Sequence, residues 1–518
     1  MELTSYSQSI LSLLPPVVAV LLAIITRKVL LSLGIGIILG ALLLTNFQLI
    51  DTFTHIGQVS ISLFWDDGAL NSWNIDLIVF LLILGVMTSL LTISGATSAF
   101  ANWASTKITS QRGSKILTVV LGIIIFIDDY FNSLAVGSIC RPITDKYKVS
   151  RAKLAYLLDS TAAPMCVLMP ISSWGAYIIG IIGTIFATHK LTEYTALEAF
   201  VTMIPMNLYA VFALFLVVLT AYFKLDIGAM KSREQKATLG ELYNAQMGVP
   251  AGEIEAVASS DKANVYDLIL PIMALIIGTV FFIIYTGINA TEGQVTAISI
   301  FANTDASGSL VYGGLTGLAV TLMMALNNRL ALPVLIQGIW QGCRAMLPAI
   351  LILLFAWSMA SMISSIETGK YLSSLADGNI AVSLLPLLLF ILAGFMAFAT
   401  GTSWGTFSIM LPIAADMAMG SNTGLLLPMM ASVLAGAVFG DHCSPISDTT
   451  ILSSTGAGCH HIEHVITQLP YALLVALISA CGYLTLGVTE SLWAGFIASG
   501  VLFIIASVSL IVFVKRKS

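Results

Sequence analysis

Charge is scarce in this sequence. Asp, Glu, Lys and Arg together make up 9% of its 518 residues, against about 25% in soluble domains. A chain this poor in charge cannot cover a water-facing surface, which excludes an ordinary soluble globular protein. With 58% hydrophobic residues and a mean hydropathy of +0.96, it reads as a polytopic membrane protein. There is no basic patch and no aromatic-rich polar platform, and the net charge is −5, so nucleic acid is excluded as a partner. The six cysteines, at 140, 166, 343, 443, 459 and 481, show no CxxC spacing. They read as free, buried thiols rather than a disulfide framework. Residues 1–9 lack a cationic stretch, so the first apolar segment is expected to be retained rather than cleaved.

Hydrophobic runs are abundant. Crossing about 30 Å of hydrocarbon takes roughly 20 helical residues. The runs are 10–26, 29–50, 75–94, 116–140, 154–187, 199–223, 265–287, 310–326, 333–363, 380–400, 404–420, 425–440, 465–488 and 490–514. Some are short, and 154–187 is interrupted by Pro164, Pro170 and Ser172-Ser173. The expected fold is all-α, with discontinuous transmembrane helices, re-entrant hairpins and about 11–13 crossings.

Lys and Arg in short loops set the orientation. Arg27-Lys28, the 107–115 loop and Lys515-Arg516-Lys517 read as inside, and the acidic 51–76 loop as outside. This places the N-terminus outside and the C-terminus in the cytoplasm of a plasma-membrane protein. The cluster Arg141, Lys146, Lys148, Arg151 and Lys153 also belongs inside, so both ends of 116–140 are cationic. That segment is therefore expected to enter and return on one side, with its tip at Asp128-Asp129. The polar stretch 224–264 reads as a cytoplasmic linker, with a short surface helix near 232–245. It divides an N-terminal half, 1–223, from a C-terminal half, 265–518.

Each half carries the same ordered features. Phe126–Ser133, Pro142 and Pro170-Ile171-Ser172-Ser173-Trp174 correspond to Phe398–Gly405, Pro412 and Pro445-Ile446-Ser447-Asp448-Thr449. The two prolines are 28 residues apart in the first set and 33 in the second. This defines repeats at about 75–187 and 346–455. Residues 141–153 hold five Lys or Arg, whereas 411–425 hold none and carry Asp416. Equivalent loops then face opposite sides, as in inverted-topology repeats.

The polar residues within these runs carry the chemistry. Gly440–Thr450 (GDHCSPISDTT) places two carboxylates, an imidazole and four hydroxyls where a membrane segment normally has Leu or Val. A charged group at the bilayer centre costs about 2.5–3.5 kcal/mol on insertion scales. Pro170, Gly401 and Pro445 mark helix breaks, whose free backbone groups bind ions. Carboxylate, hydroxyl and carbonyl oxygens suit a hard cation such as Na⁺, and no transition metal. The candidate cation and proton ligands are Asp128, Asp129, Asp441, Ser444, Ser447, Asp448, Thr449 and Thr450. Supporting or lining roles fall to Asn132, Asp159, Ser172, Ser173, Trp174, Thr402, Ser403, Trp404 and His442. Asp128-Asp129 could instead cap a helix, Asp159 could anchor a hydrogen-bonding knot, and the two tryptophans could be interfacial anchors. His460, His461, Glu463 and His464 read as solvated surface rather than a metal cluster.

The Gly-Asp-x-x-Ser-Pro-x-Ser-Asp-Thr-Thr pattern at 440–450 resembles the signature of the NhaC family of sodium/proton antiporters, in the ion-transporter superfamily. The Asp128-Asp129 and Thr402-Ser403-Trp404-Gly405 segments are similar to other parts of that pattern. The resemblance implies a scaffold and a mobile transport domain in each protomer, paired hairpins and a homodimer. It also implies no cofactor, Na⁺ and H⁺ being the transported ions. It carries cation-site roles onto Asp441, Ser444, Ser447, Asp448, Thr449 and Thr450. His442-Cys443 and Ile451 depart from many members, which leaves the substrate open.

Two functions follow as expectations. The first is Na⁺/H⁺ antiport by alternating access, the ions competing for buried carboxylates. The second is Na⁺- or H⁺-coupled transport of a small organic solute such as an amino acid or carboxylate. An enzyme is not expected, since no nucleophile elbow, metal motif or paired catalytic signature is present.

Overall fold

The computed structural model describes residues 3–26, 28–66, 68–126, 128–170, 172–252, 263–291, 294–368, 371 and 381–516. Arg27, Ile127, Ile171, Lys517, linker residues 253–262 and residues 372–380 of the second repeat, all covered by the expectations above, lie outside the described residues. Apart from a two-residue ladder pairing Trp65–Asp66 with Ala69–Leu70, the regular structure among the described residues is helical. Nine of those helices are long and apolar enough to cross a membrane, or ten if one bent pair counts as a span. The sequence runs gave a larger number for a local reason. Runs 10–26 and 29–50 fold as Leu14–Thr26 and Val29–Leu44, helices of 13 and 16 residues, short of the ~20 that a crossing takes.

Two hairpins and two broken helices organise the centre. The first hairpin consists of Gln111–Ile124 and Asp129–Lys146. Ser110 caps its entering arm, its Oγ accepting from the Gly113 N–H at 3.1 Å, and Asp128 caps the returning arm. Gln111 Nε2 donates to the Lys148 carbonyl at 3.1 Å, so the two open ends meet and the far ends of the arms are Ile124 and Asp129. Its 14-residue entering arm rises about 21 Å, less than a bilayer core.

The second hairpin consists of Leu385–Thr400 and Ser403–Ser421. It turns at Gly401, where φ is +70° and a Cβ would lie 2.4 Å from the Ile446 carbonyl oxygen. Left-handed backbone and close approach together require glycine here.

The first broken helix joins Arg151–Leu168 to Ser173–His189 with a 41° bend. Pro170 in the break lacks a backbone donor, and Ser172 restarts the chain as an N-cap, accepting from the Gly175 N–H at 2.8 Å. The second joins Leu426–Cys443 to Asp448–Ala457. Pro445 sits in that break, and Ser447 caps the new helix by accepting from the Thr450 N–H at 3.2 Å.

Helix His461–Thr489 gives a ruler for these elements. The open end of the first hairpin lies at its start. There Lys115 is 3.7 Å from Glu234, and the neighbouring Arg233 pairs with Glu463. The open end of the second hairpin lies at its other end, where Asn422 Nδ2 donates to Glu490 at 3.1 Å. The ruler's 29 residues rise about 43 Å, so the hairpins enter the bundle from opposite ends.

The described residues 224–252 of the polar stretch pack against the bundle rather than standing loose. Its helix runs Gly228–Thr238, earlier than the sequence pattern placed it, and Gly240 at φ +99° follows its end. Glu234 accepts from the Ser150 N–H at 2.8 Å, and Lys153 pairs with Asp226 at 2.9 Å. Beside the central elements, Ser72–Ile93 packs on Leu332–Ile366. The contact is at Gly85 and Gly342, where a Cβ on either would lie 2.5 Å from the other's carbonyl oxygen. Small residues of this kind let membrane helices approach through their backbones.

Candidate functional site

The tips of both hairpins meet both helix breaks. Asp128 and Asp129 stand at the N-terminus of the first hairpin's returning arm, and Asp448 begins the helix after the second break. Helix N-termini favour carboxylates, because their N–H groups are unpaired and the helix dipole is positive there. Asp128 Oδ1 accepts from the Phe131 N–H at 3.0 Å and Oδ2 from Ser173 Oγ at 3.0 Å. Asp129 ties the first hairpin to both broken helices, its oxygens accepting from Trp174 Nε1 and Thr449 Oγ1, each at 2.9 Å. Asp448 Oδ1 accepts from the Thr449 N–H at 2.8 Å, and Oδ2 accepts from the Tyr130 hydroxyl. Ser133 and Ser453 meet at 2.9 Å behind this group, and one turn on the helices touch at Gly137 and Gly456.

A second cluster lies deeper. Asp159 is fully buried and receives four side chains: Thr450 Oγ1 at 3.2 Å, Ser453 Oγ at 3.3 Å, His464 Nε2 at 3.1 Å, and Gln468 Nε2. Gln468 Nε2 also donates to the His442 carbonyl at 3.0 Å, while His442 Nδ1 meets the Tyr209 hydroxyl at 3.0 Å. Asp441 stands one turn before the second break, with the Ser447 hydroxyl beside it. Asp441 Oδ1, His442 Nε2, His464 Nδ1 and Gln468 Oε1 are buried without a hydrogen-bond partner among the described residues. An unspent carboxylate oxygen such as Asp441 Oδ1 fits a hard cation.

The remaining expected residues hold the frame. Ser444 Oγ donates to the Phe398 carbonyl at 2.8 Å and Ser403 Oγ to the Ala437 carbonyl at 3.3 Å, tying the second hairpin to the second broken helix. Asn132 Nδ2 donates to the Gly122 and Ile125 carbonyls at the first tip, leaving Oδ1 buried and unpartnered. Ser172 Oγ donates to the Cys166 carbonyl at 2.8 Å, and the Pro445 carbonyl oxygen lies 2.7 Å from His461 Nε2. Gly175 packs on the Met169 carbonyl beside Pro170. Thr402 heads its helix with no side-chain cap bond, and its carbonyl accepts from Thr406 Oγ1 at 3.1 Å. Trp404 stacks among rings, 4.6 Å from Tyr177 and 6.0 Å from both Trp73 and Trp174.

One expectation changes, and the geometry bears on two alternatives left open. His461, Glu463 and His464 are buried rather than solvated. Gly458, at φ +62°, ends helix Asp448–Ala457, and the next helix starts at His461, turning the segment inward. Trp174 is buried on Asp129 instead of anchoring at an interface. Asp159 is the centre of a hydrogen-bonding knot. Tyr130, His464, Gln468 and Tyr209 join the site without a sequence motif that marks them as site residues. The spacing of His464, Gln468 and Tyr471 along one helical stripe was the available signal.

Asp448 alone among the five carboxylates is half-buried rather than buried. It lines a cavity of about 300 Å³ together with Trp73, Tyr130, Trp357, Thr402 and Trp404.

A multi-pass helical bundle whose broken helices converge on shared carboxylates has the build of a membrane transporter rather than an enzyme. Over residues 165–488 the chain matches the Na⁺/H⁺ antiporter family. It belongs to that family. An uncharacterised protein of Haemophilus influenzae is 50% identical over the whole of this chain and 97% of its own length. Two shorter matches each cover 20% of this chain. The malate-2H⁺/Na⁺-lactate antiporter of Bacillus subtilis is 36% identical over 22% of its length. The arginine/ornithine antiporter ArcD of Halobacterium salinarum is 37% identical over 21% of its length. Among solved structures, MtrF of Neisseria gonorrhoeae aligns over 89% of this chain and 85% of its own, with 13% identity and a TM-score of 0.35. That likeness is too distant to inform the site.

Proposed function

We propose that this protein exchanges Na⁺ for protons by alternating access. The observation that carries the reading is a charge imbalance. Asp128, Asp129, Asp441 and the half-buried Asp448 lie with Asp159 in one region, no Lys or Arg is found among the hydrogen-bond and ion-pair partners of these five described residues, and only Asp159 has a histidine beside it, His464 at 3.1 Å. Buried carboxylates without counter-charge are costly. Protons or a hard cation supply that neutralisation, and competition between them is what an exchanger needs.

In this reading Asp128, Asp129 and Asp448, with Asp441, Ser447, Thr449 and Thr450, bind the cation, and protons replace it. The hairpins entering from opposite ends of His461–Thr489 support an inverted repeat. The Lys and Arg gathered at the start of that helix support placing that end, and the linker, in the cytoplasm. A mobile unit of hairpins and broken helices would rock against Ser72–Ile93 and Leu332–Ile366, within a homodimer. In proteoliposomes, a Na⁺ gradient should drive opposite proton movement in the wild type and none in Asp129→Asn. Normal exchange by that variant at several pH values would sink the assignment.

A second reading, coupled transport of an organic solute, is favoured by the cavity at Asp448. Organic ligands occupy pockets of about 300–1,000 Å³, and the short matches include antiporters named for organic acids and for arginine and ornithine.

A further inference from the structure

We propose that the cavity at Asp448 binds the ammonium group of a small organic compound. This narrows the cargo class of the second reading above and rests on Asp448 facing the transport path. Size argues first. A cavity of about 300 Å³ is far larger than a bare Na⁺ site, in which oxygens close directly around the ion.

Charge sets the sign of the ligand. Asp448 is the one carboxylate among the lining residues described, and no Lys, Arg or His stands with it. One oxygen accepts from the Thr449 N–H and, at 3.5 Å, the Thr449 hydroxyl, and the other from the Tyr130 hydroxyl. A carboxylate offers about four acceptor positions, so acceptor capacity remains on the cavity side. A carboxylate ligand would meet this charge with no cation beside it, an arrangement that selects against anions.

The walls suit the same ligand. Trp73, Tyr130, Trp357 and Trp404 line the space, and the Trp73 ring lies 6.0 Å from Trp404 and 6.5 Å from Tyr130. Aromatic faces around an anionic group attract ammonium ions through the ring quadrupole as well as the formal charge. Two nearby helix N-termini are already occupied by carboxylates, Asp448 itself and Asp128-Asp129, so the uncapped start of Ser403–Ser421 at Thr402 is the foothold left to an anion, which the butyrate arm of the test below probes.

The test uses two probes of matched size and opposite charge, n-butylammonium and n-butyrate. Each is titrated into the purified full-length protein in nanodiscs without Na⁺, followed by tryptophan fluorescence and thermal shift. Saturable binding of butylammonium, about tenfold or more tighter than butyrate, is the expected result. Asp448→Asn should weaken it by about tenfold or more, whereas Asp448→Glu should keep it. Equal or tighter binding of butyrate by the wild type would overturn the inference whether or not any variant folds. So would butylammonium binding that Asp448→Asn leaves unchanged. No gradient is involved, so the two readings fail separately. A protein that exchanges Na⁺ for protons yet ignores butylammonium loses only this inference.

Discussion

Asp448 and Asp159 sit on opposite sides of the short helix Asp448–Ala457 and are treated differently. Asp448 faces a cavity and is held by the Tyr130 phenol and by Thr449, through its N–H at 2.8 Å and its hydroxyl at 3.5 Å. Asp159 is closed from solvent and receives four side-chain donors. A carboxylate whose acceptor positions are all taken inside the protein has little left for a travelling ion, whereas one with open positions can trade partners. The first arrangement suits exchange and the second suits fixing the geometry of the break. Thr449 and Thr450 couple the two, one turned to Asp129 and the other to Asp159.

The largest expected contrast comes from the two aspartates themselves. Asp448→Asn should reduce Na⁺-driven proton flux to background while leaving the melting temperature of the purified protein nearly unchanged. Asp159→Leu should do the reverse in emphasis, removing the acceptor for four buried donors at a cost of about 3–5 kcal/mol. Its effect should be read in thermal unfolding. If Asp448→Asn unfolds the protein and Asp159→Leu does not, the division is wrong.

Trp174→Phe keeps an aromatic side chain but removes the pyrrole ring and with it the N–H donated to Asp129. Hydrogen bonds to charged groups contribute about 1.5–3 kcal/mol, so the apparent Na⁺ affinity in flux assays should fall by roughly 10- to 100-fold. Gly137→Ala places a Cβ 2.8 Å from the Gly456 backbone. That overpacking should cost about 1–3 kcal/mol and push Asp448 away from Asp129, lowering stability and flux together. A loss of stability with flux intact would show that the helix contact does not position the site. The smallest effect belongs to Asn422→Ala, which cuts an exposed bond to Glu490. It should stay within about 0.5 kcal/mol in unfolding and leave flux unchanged.

How far the sequence spoke differs between the two regions. Asp128-Asp129 and Gly440–Thr450 were legible because ionisable groups and helix breakers interrupt apolar runs, and burial makes such residues expensive unless used. The first hairpin was legible from cationic residues at both of its ends. The Asp159 knot was not. His464 and Gln468 come more than 300 residues after Asp159, and Gly456-Ala457-Gly458 before them reads like an exit to solvent. Only the tertiary turn at Gly458 brings them inward. Trp73 adjoins an acidic loop, where interfacial anchoring is the ordinary reading. The linker's polar composition likewise concealed that Asp226 and Glu234 clasp Lys153 and the Ser150 N–H.

Proton release on Na⁺ binding tests the central claim most directly. Adding NaCl to purified protein in lightly buffered solution at fixed pH should acidify the solution saturably for the wild type, as Na⁺ displaces protons from the Asp448 group. Asp448→Asn should release markedly less. No release by the wild type, or equal release by the variant, would contradict competition at this carboxylate.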